Sequence, residues 1–386
     1  MSEFPKHELN PLNWALSRGI ANAGWRGGLG WLTQASTGLL LGGLLLLVPF
    51  LAGQGVIDQA TVSQLGRYCC LAVLAIGLDL VWGYAGILSL CQAMFFTLGG
   101  YAMGMYLCMH GPLDGGGIPR ALYVVSSAVG GMTLPWFWQP FSSFWFALLM
   151  VAVVPGLFAF GFGYMAFRSR IKGVYFSIIT QAATVALWLV FCRNDLQLCG
   201  TNGLTNFTHL LGFPLADPAT KIGLYVASAA LMFITAGFAH WLAGTRFGRL
   251  LVAVRDSESR LRFAGYNPVW FKTAVFTIGA VLGGLGGALY APQTGIITPS
   301  NMQAAESIFV VVWVAVGGRG TVTGAVVGAL AINLLYAQLT SHFPKLWPFI
   351  LGGMFVSVVL FLPDGLVGAW RRVMAKVSGK PLEVHS

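Results

Sequence analysis

Apolar residues in this chain fall into runs too long for the core helices of a water-soluble domain. A helix needs about 20 apolar residues to cross the hydrocarbon of a bilayer. Runs of that kind lie near 37–57, 67–84, 88–109, 143–167, 173–192, 221–243, 269–291, 304–318, 321–341 and 346–366, the run 304–318 being short. The pattern predicts an all-α integral membrane protein with about ten transmembrane helices. A further patch, 121–138, contains Pro135 and ends on Trp136, Trp138 and Pro140. It reads as a re-entrant or interfacial segment with an aromatic anchor.

The hydrophilic segments orient these runs. Lys and Arg collect in the loops on the cytoplasmic side of a membrane protein. Ten spans with both termini inside put 17 of the 22 Lys and Arg on the inner side, in 1–36, 168–172, 244–268, 319–320, 367–386 and at Lys272. Arg67, Arg120, Arg193, Lys221 and Lys345 stay outside. Counting 121–138 as a span would invert every later loop and expose the arginine-rich 244–268 segment to the outside. The expected organisation is a cytoplasmic N-terminal extension 1–36, a transmembrane domain 37–366 with an inner loop 244–268, and a cytoplasmic tail 367–386. Residues 1–36 contain Pro5 and Pro11 and no cleavage site after a short apolar run, so they do not read as a signal peptide.

Composition agrees with lipid as the solvent. Hydrophobic types make up 56% of the 386 residues and charged types 9%, where soluble domains carry about 25% charged residues. The net charge of +10 lies in the loops, so it argues for orientation in a membrane and not for nucleic acid as a partner. Of the six cysteines, Cys69, Cys70, Cys91 and Cys108 sit inside apolar runs and read as small packing residues. No C-x-x-C spacing supports a zinc or redox site. Cys192 and Cys199 flank an outer loop, which leaves a disulfide between them open. The six histidines are scattered without metal-ligand spacing.

No energy source or enzyme motif is encoded. Gly317-Gly318-Arg319-Gly320-Thr321 lacks the lysine of a phosphate-binding loop and joins two apolar runs. Polar groups inside the spans are few. Asp79 lies in the second run, where a carboxylate costs at least ~2.5–3.5 kcal/mol. It is either a pathway or gating residue or the acceptor of a structural hydrogen bond. The stretch Gly83-Tyr84-Ala85-Gly86-Ile87-Leu88-Ser89-Leu90-Cys91-Gln92 interrupts apolar sequence with glycines and small polar groups. Irregular backbone at membrane depth is tolerated where it is buried or lines water. Asp79, Tyr84, Ser89, Gln92 and Gln181 are therefore the candidate pathway residues, with structural packing as the alternative for each. Glycines spaced by four, such as Gly279, Gly283 and Gly287, or Gly324 and Gly328, let helix backbones approach closely. They suit a moving interface or tight static packing.

The inner loop 244–268 mixes Arg246, Arg249, Arg255, Arg260 and Arg262 with Asp256 and Glu258, and adds Leu250, Leu251, Val254, Leu261 and Phe263. Asp256 is placed to cap a short amphipathic helix ending at Gly265, with Pro268 beyond. Charges of both signs favour a protein partner over anionic lipid.

This loop, with the run Lys272 to Ala291 after it, resembles the cytoplasmic loop of permeases in the branched-chain amino acid family of ABC importers. Leu80-Val81-Trp82-Gly83-Tyr84-Ala85-Gly86-Ile87-Leu88-Ser89-Leu90 resembles the same family, and the resemblance covers roughly 65–366. Three stretches are similar to its urea permease branch: residues 201–207 (TNGLTNF), 290–297 (YAPQTGII) and 313–321 (WVAVGGRGT). Where such permeases often have Gly-His after Ser-Leu, this chain has Cys91-Gln92. The extension 1–36 has no counterpart. The resemblance implies a type II-like ABC importer permease in the bacterial inner membrane, surrounded by lipid. It implies a second, homologous permease chain in a heterodimer, two ATPase subunits and a periplasmic solute-binding protein. ATP and Mg would be used by the ATPase partners, with no cofactor on this chain. Arg249, Arg255, Asp256, Ser257, Glu258 and Gly265 are the expected contact with the ATPases. The expected cargo is urea or short-chain amides, with branched-chain amino acids as the alternative. An ATP-independent carrier or channel would normally show more ionisable residues in its spans.

Overall fold

The computed structural model describes residues 58–111, 134–171 and 173–343, with short pieces at 42–43, 47–49, 51–52, 345, 349–350, 352–353 and 365–368. The expected extension 1–36, most of the first and last apolar runs, residues 121–133 and nearly all of the tail lie outside the described residues. The chain is mostly helical. α1 spans Gln59–Asp79, α2 Gln92–Met109, α3 Phe144–Arg168, α4 Val174–Phe191 and α5 Pro218–Gly244. Two short helices follow, α6 Arg246–Asp256 and α7 Glu258–Phe263. Then come α8 Pro268–Thr294, α9 Ala304–Gly317 and α10 Val322–His342.

Local chemistry sets several of these boundaries. Pro218 and Pro268 open α5 and α8, where a missing N–H costs nothing. Asp217 and Asn267 cap them by accepting from Ala219 N at 3.4 Å and Val269 N at 3.1 Å. Gly295, at φ +71°, ends α8 in the left-handed conformation that a glycine adopts without strain.

Among the described residues six helices are long and apolar enough to cross a membrane, namely α1 with its extension to Tyr84, α3, α4, α5, α8 and α10. The expected count of about ten is not reached. α1 begins at Gln59, eight residues before the apolar run, so Arg67 sits within the helix. α2 begins at Gln92 and not at 88, because Leu88–Cys91 is irregular. The residues before Trp138 that fall in the expected re-entrant segment form a turn.

α2 and α8 form the centre. Every residue of α2 from Gln92 to Cys108 is buried, and α8 packs against α1, α2 and α3. The glycine stripe of α8 makes this closeness possible. A Cβ on Gly279 would stand 2.8 Å from Gly77 O, and a Cβ on Gly77 would stand 2.8 Å from Gly279 O. The outer helices show apolar side chains such as Leu149, Leu157, Ile178, Leu189 and Ile234 on their exposed faces. Such a surface belongs in lipid.

Candidate functional site

α1 does not end at Asp79 but widens into a π-helical turn, Leu80–Tyr84. Wide turns of this kind occur as single insertions, often at functional sites. Here the turn carries backbone carbonyls to two arginines distant in sequence. Arg255 Nη1 donates to Gly83 O at 2.8 Å. Arg319 donates to Trp82 O from Nε at 3.2 Å and Nη2 at 3.0 Å, and its guanidinium lies 4.8 Å from the Trp82 ring centre. Asp79, fully buried, accepts from Gly320 N at 2.7 Å. Only glycine fits at 83. A Cβ there would collide with Asp79 Oδ1 and stand 2.6 Å from Gly320 N. Burial and the neighbouring Arg255 charge lower the Arg319 pKa, while Asp79 raises it. The end of α1 at 79–83 and the two loops expected on the inner side, 244–268 and 319–320, therefore meet at one end of the bundle through side chain to backbone bonds. Arg319 was legible as a charge in the inner segment 319–320, as part of a failed phosphate-loop match and within the 313–321 resemblance, none of which signalled its bond to the α1 turn.

The loop 244–268 forms two helices where one was expected. Thr245 caps α6 by accepting from Gly248 N at 3.4 Å. Asp256 is the last residue of α6, not a cap, and pairs with Arg255 at 3.0 Å. Ser257 breaks the chain at φ −159° and α7 follows. Glu258 pairs with Arg262 at 2.6 Å within α7 and holds α7 to α8 through Lys272 at 2.9 Å. The Lys272 pair is mostly buried, so salt screens it less than a surface pair. Gly265 turns the chain at φ +84°. Leu251, Val254 and Leu261 are buried against the bundle, whereas Phe263 is 92% exposed. Arg249 is exposed on α6 and Ser257 half-buried between the helices.

Beyond the turn, Ser89 lies in the irregular link to α2 and Gln92 is the first residue of α2. A face of α4 holds this link. Ser177 Oγ donates to Leu88 O at 2.8 Å, Thr180 Oγ accepts from Leu90 N at 3.1 Å, and Thr184 Oγ donates to Leu90 O at 3.3 Å. Hydroxyls three and four residues apart share one helix face, so Ser177, Thr180 and Thr184 were a readable signal that the candidate list missed. Gln181 is half-buried on the same helix, and Tyr84 half-buried in the π turn. Ser89 Oγ stands 3.1 Å from Cys91 Sγ. Both polar atoms of the Gln92 side chain are buried without a partner among the described residues.

A family described as "Branched-chain amino acid transport system / permease component" matches residues 61–359, which includes every element of this site. The chain belongs to that family. The permease is 24% identical over 355 residues to the high-affinity branched-chain amino acid transport system permease protein LivM of Salmonella typhimurium, covering 86% of this chain and 74% of that protein. It is 23% identical over 315 residues to the probable branched-chain amino acid transport permease protein LivM of Methanocaldococcus jannaschii, covering 76% and 89%. It is 21% identical over 306 residues to LivH of Escherichia coli, a permease protein of the high-affinity branched-chain amino acid transport system, covering 77% and 91%. No solved structure matches the permease.

The end of the permease opposite the arginines is closed by short strands. β1 Leu204–Thr205 pairs antiparallel with β4 Ile296–Ile297, Leu204 opposite Ile297. A Cβ on Gly203 would collide with Ile297 O. Two of the three stretches similar to urea permeases are thereby joined as framework. β2 His209–Leu210 and β3 Phe213–Pro214 form a second small ribbon. Cys192 and Cys199 are not joined by a disulfide in this structure.

Proposed function

We propose that this permease is one of two homologous membrane subunits of an ATP-driven importer in a bacterial inner membrane. Its arginine-bearing end faces the cytoplasm, where two ATPase subunits bind, and a periplasmic binding protein delivers cargo at the other end. One observation carries this reading: the α6–α7 pair is tied by Arg255 to the carbonyl of Gly83, in the broken segment between α1 and α2. Its Phe263 and Arg249 stand outward, as an aromatic and a basic anchor for a protein partner. Closure of the ATPases would push α6–α7. Arg255 would pass the displacement to the π turn, and the link 85–91 would shift along the hydroxyls of α4. In this scheme Arg249 meets the partner. Asp256 and Ser257 shape the joint, Glu258 anchors α7 through Lys272, and Gly265 permits the exit turn. The ATPases use ATP and Mg; this chain binds neither.

For the cargo, the similarity to branched-chain amino acid permeases supports an amino acid with an apolar side chain. Urea or a short amide is the second reading, favoured by residues 201–207, 290–297 and 313–321. The framework role of the first two of these stretches weakens them as evidence of selectivity. Uptake of labelled leucine and labelled urea at micromolar concentration, in cells with and without the gene, separates the two. Loss of leucine uptake alone on deletion supports the first reading. Loss of urea uptake alone, with competition by short amides, supports the second. Unchanged uptake of both would refute the cargo assignment.

A further inference from the structure

α2 starts inside the bundle and not at its face, and two neighbouring helices measure the depth. Ala93 N donates to Ser307 Oγ at 3.2 Å, and Ser307 lies ten residues from Gly317, the arginine-bearing end of α9. Leu90 O accepts from Thr184, ten residues from Val174 at the start of α4. The start of α4 lies toward the same end, because Ser177 holds Leu88, two residues beyond the Gly86 that abuts Arg255. At 1.5 Å per residue, both helices place Leu90–Ala93 roughly 15 Å in from that end. That is near the middle of a hydrocarbon core about 30 Å thick. A helix N-terminus at that depth carries a partial positive charge.

The side chain at this point is Gln92. It is fully buried, and neither its Oε1 nor its Nε2 has a partner among the described residues. A buried amide without partners is costly, and no lipid group can supply them at this depth. A methionine would fill the same space without the cost, so packing does not account for the residue. Phe95 and Phe96 stand one turn further along the same helix face, both buried. Their rings pack against Phe158, Phe276 and Tyr290, so the amide sits at the edge of an aromatic core.

We infer that the Gln92 amide at the start of α2 holds the translocated solute in mid-membrane, and that this solute carries a hydrogen-bond donor and an acceptor side by side. A zwitterionic α-amino acid meets this through its ammonium and carboxylate, and urea or a primary amide through its N–H and C=O. A bare carboxylate leaves Oε1 unmatched. A bare cation leaves Nε2 unmatched and opposes the helix N-terminus. The inference rests on the permease reading above and adds to it the chemistry that the pathway demands.

The test uses the complete importer, with both permease chains, the ATPases and the binding protein, reconstituted in lipid vesicles. Solute moved per ATP hydrolysed is measured separately for labelled leucine and labelled urea. Gln92→Met should cut the transported cargo per ATP at least tenfold while ATP hydrolysis stays within twofold. Gln92→Glu is nearly isosteric and carries the test if Gln92→Met fails to assemble. Burial favours its neutral acid, which keeps a donor and an acceptor, so its cargo per ATP should fall at least tenfold as pH rises and ionisation removes the donor, while the wild type changes less than twofold over the same range. Wild-type cargo per ATP in assembled Gln92→Met, or in Gln92→Glu across the whole pH range, would overturn the inference and leave the permease reading intact. A wild-type complex that moves neither solute on ATP would overturn the permease reading, and the inference with it.

Discussion

Replacing Asp79 by alanine removes the acceptor that meets Gly320 N at 2.7 Å in the turn between α9 and α10. That N–H is boxed in by Gly83, whose missing Cβ already leaves no spare room, so water cannot readily take the place of the carboxylate. A buried N–H left unsatisfied costs about 1–3 kcal/mol. The lost attraction to Arg319 adds little, because that side chain is exposed and exposed pairs contribute ~0–1 kcal/mol. The expected loss for Asp79→Ala is therefore about 2 kcal/mol, roughly a thirtyfold shift in the folding ratio. Asp79→Asn keeps an oxygen facing Gly320 and the same volume. Its amide nitrogen takes the place of Oδ2, which has no partner among the described residues. One poorly matched polar atom replaces another while a buried charge is removed, so the net change should stay within about 1 kcal/mol. Thermal unfolding of the purified complex and cargo uptake, measured on both variants, decide the matter. Stability and uptake should hold in the asparagine variant and both should fall in the alanine variant. An asparagine variant with normal stability and no uptake would refute this reasoning and assign the negative charge itself to gating.

Charge reversal at Arg255 or Glu258 should lower binding-protein-stimulated ATP hydrolysis at least tenfold, since the Arg255 bond to Gly83 O is charge-assisted and such bonds contribute about 1.5–3 kcal/mol. Unchanged stimulation would remove α6–α7 from the coupling path. Gly279→Ala forces a methyl to within 2.8 Å of Gly77 O and 2.9 Å of Val81 Cγ2 and should destabilise the permease by about 1–3 kcal/mol. Gly223→Ala, with nothing within 4 Å of the new methyl, should be neutral or stabilise α5 by up to about 1 kcal/mol. Thermal unfolding of the two variants side by side checks both signs. Burial pushes the Cys199 thiol up to about 12, so its reactive thiolate is scarce at pH 8. A membrane-impermeant maleimide should leave Cys199 unmodified at pH 8 in the folded protein and label it after denaturation, as read by mass spectrometry.

What could be read from the sequence divides along a physical line. Hydropathy is a property of neighbouring residues, so eight of the ten apolar runs reappear as helices among the described residues. Pro218 with Asp217 and Pro268 with Asn267 mark helix starts by local chemistry alone. Boundaries failed where polarity and helicity part company. Gln59 to Gly66 is too polar for a run yet helical, and Leu88–Cys91 is apolar enough for a run yet irregular, because the hydroxyls of α4 satisfy the backbone of Leu88 and Leu90. In the 244–268 loop the cap went to the wrong residue, since Thr245 and Ser257 are as suited to the position as Asp256.

The site itself was half legible for a related reason. Asp79, Ser89 and Gln92 announced themselves as polar groups that a membrane interior penalises, and that penalty can be read residue by residue. Their partners could not be read in this way. The bond from Arg319 to Trp82 spans 237 residues of chain, the bond from Gly320 to Asp79 spans 241 and that from Arg255 to Gly83 spans 172. An arginine in a loop looks the same to a charge count whether it faces water or grips a carbonyl. Backbone carbonyls carry no sequence signature at all, and here they are the acceptors for both arginines. The glycines supply the missing hint. Gly83 and Gly86 lack side chains where Asp79, Gly320 and Arg255 occupy the space. Such a glycine marks where another segment arrives, though not which one, whereas Gly223, with open space around it, marks none, and the sequence alone does not tell the two kinds apart.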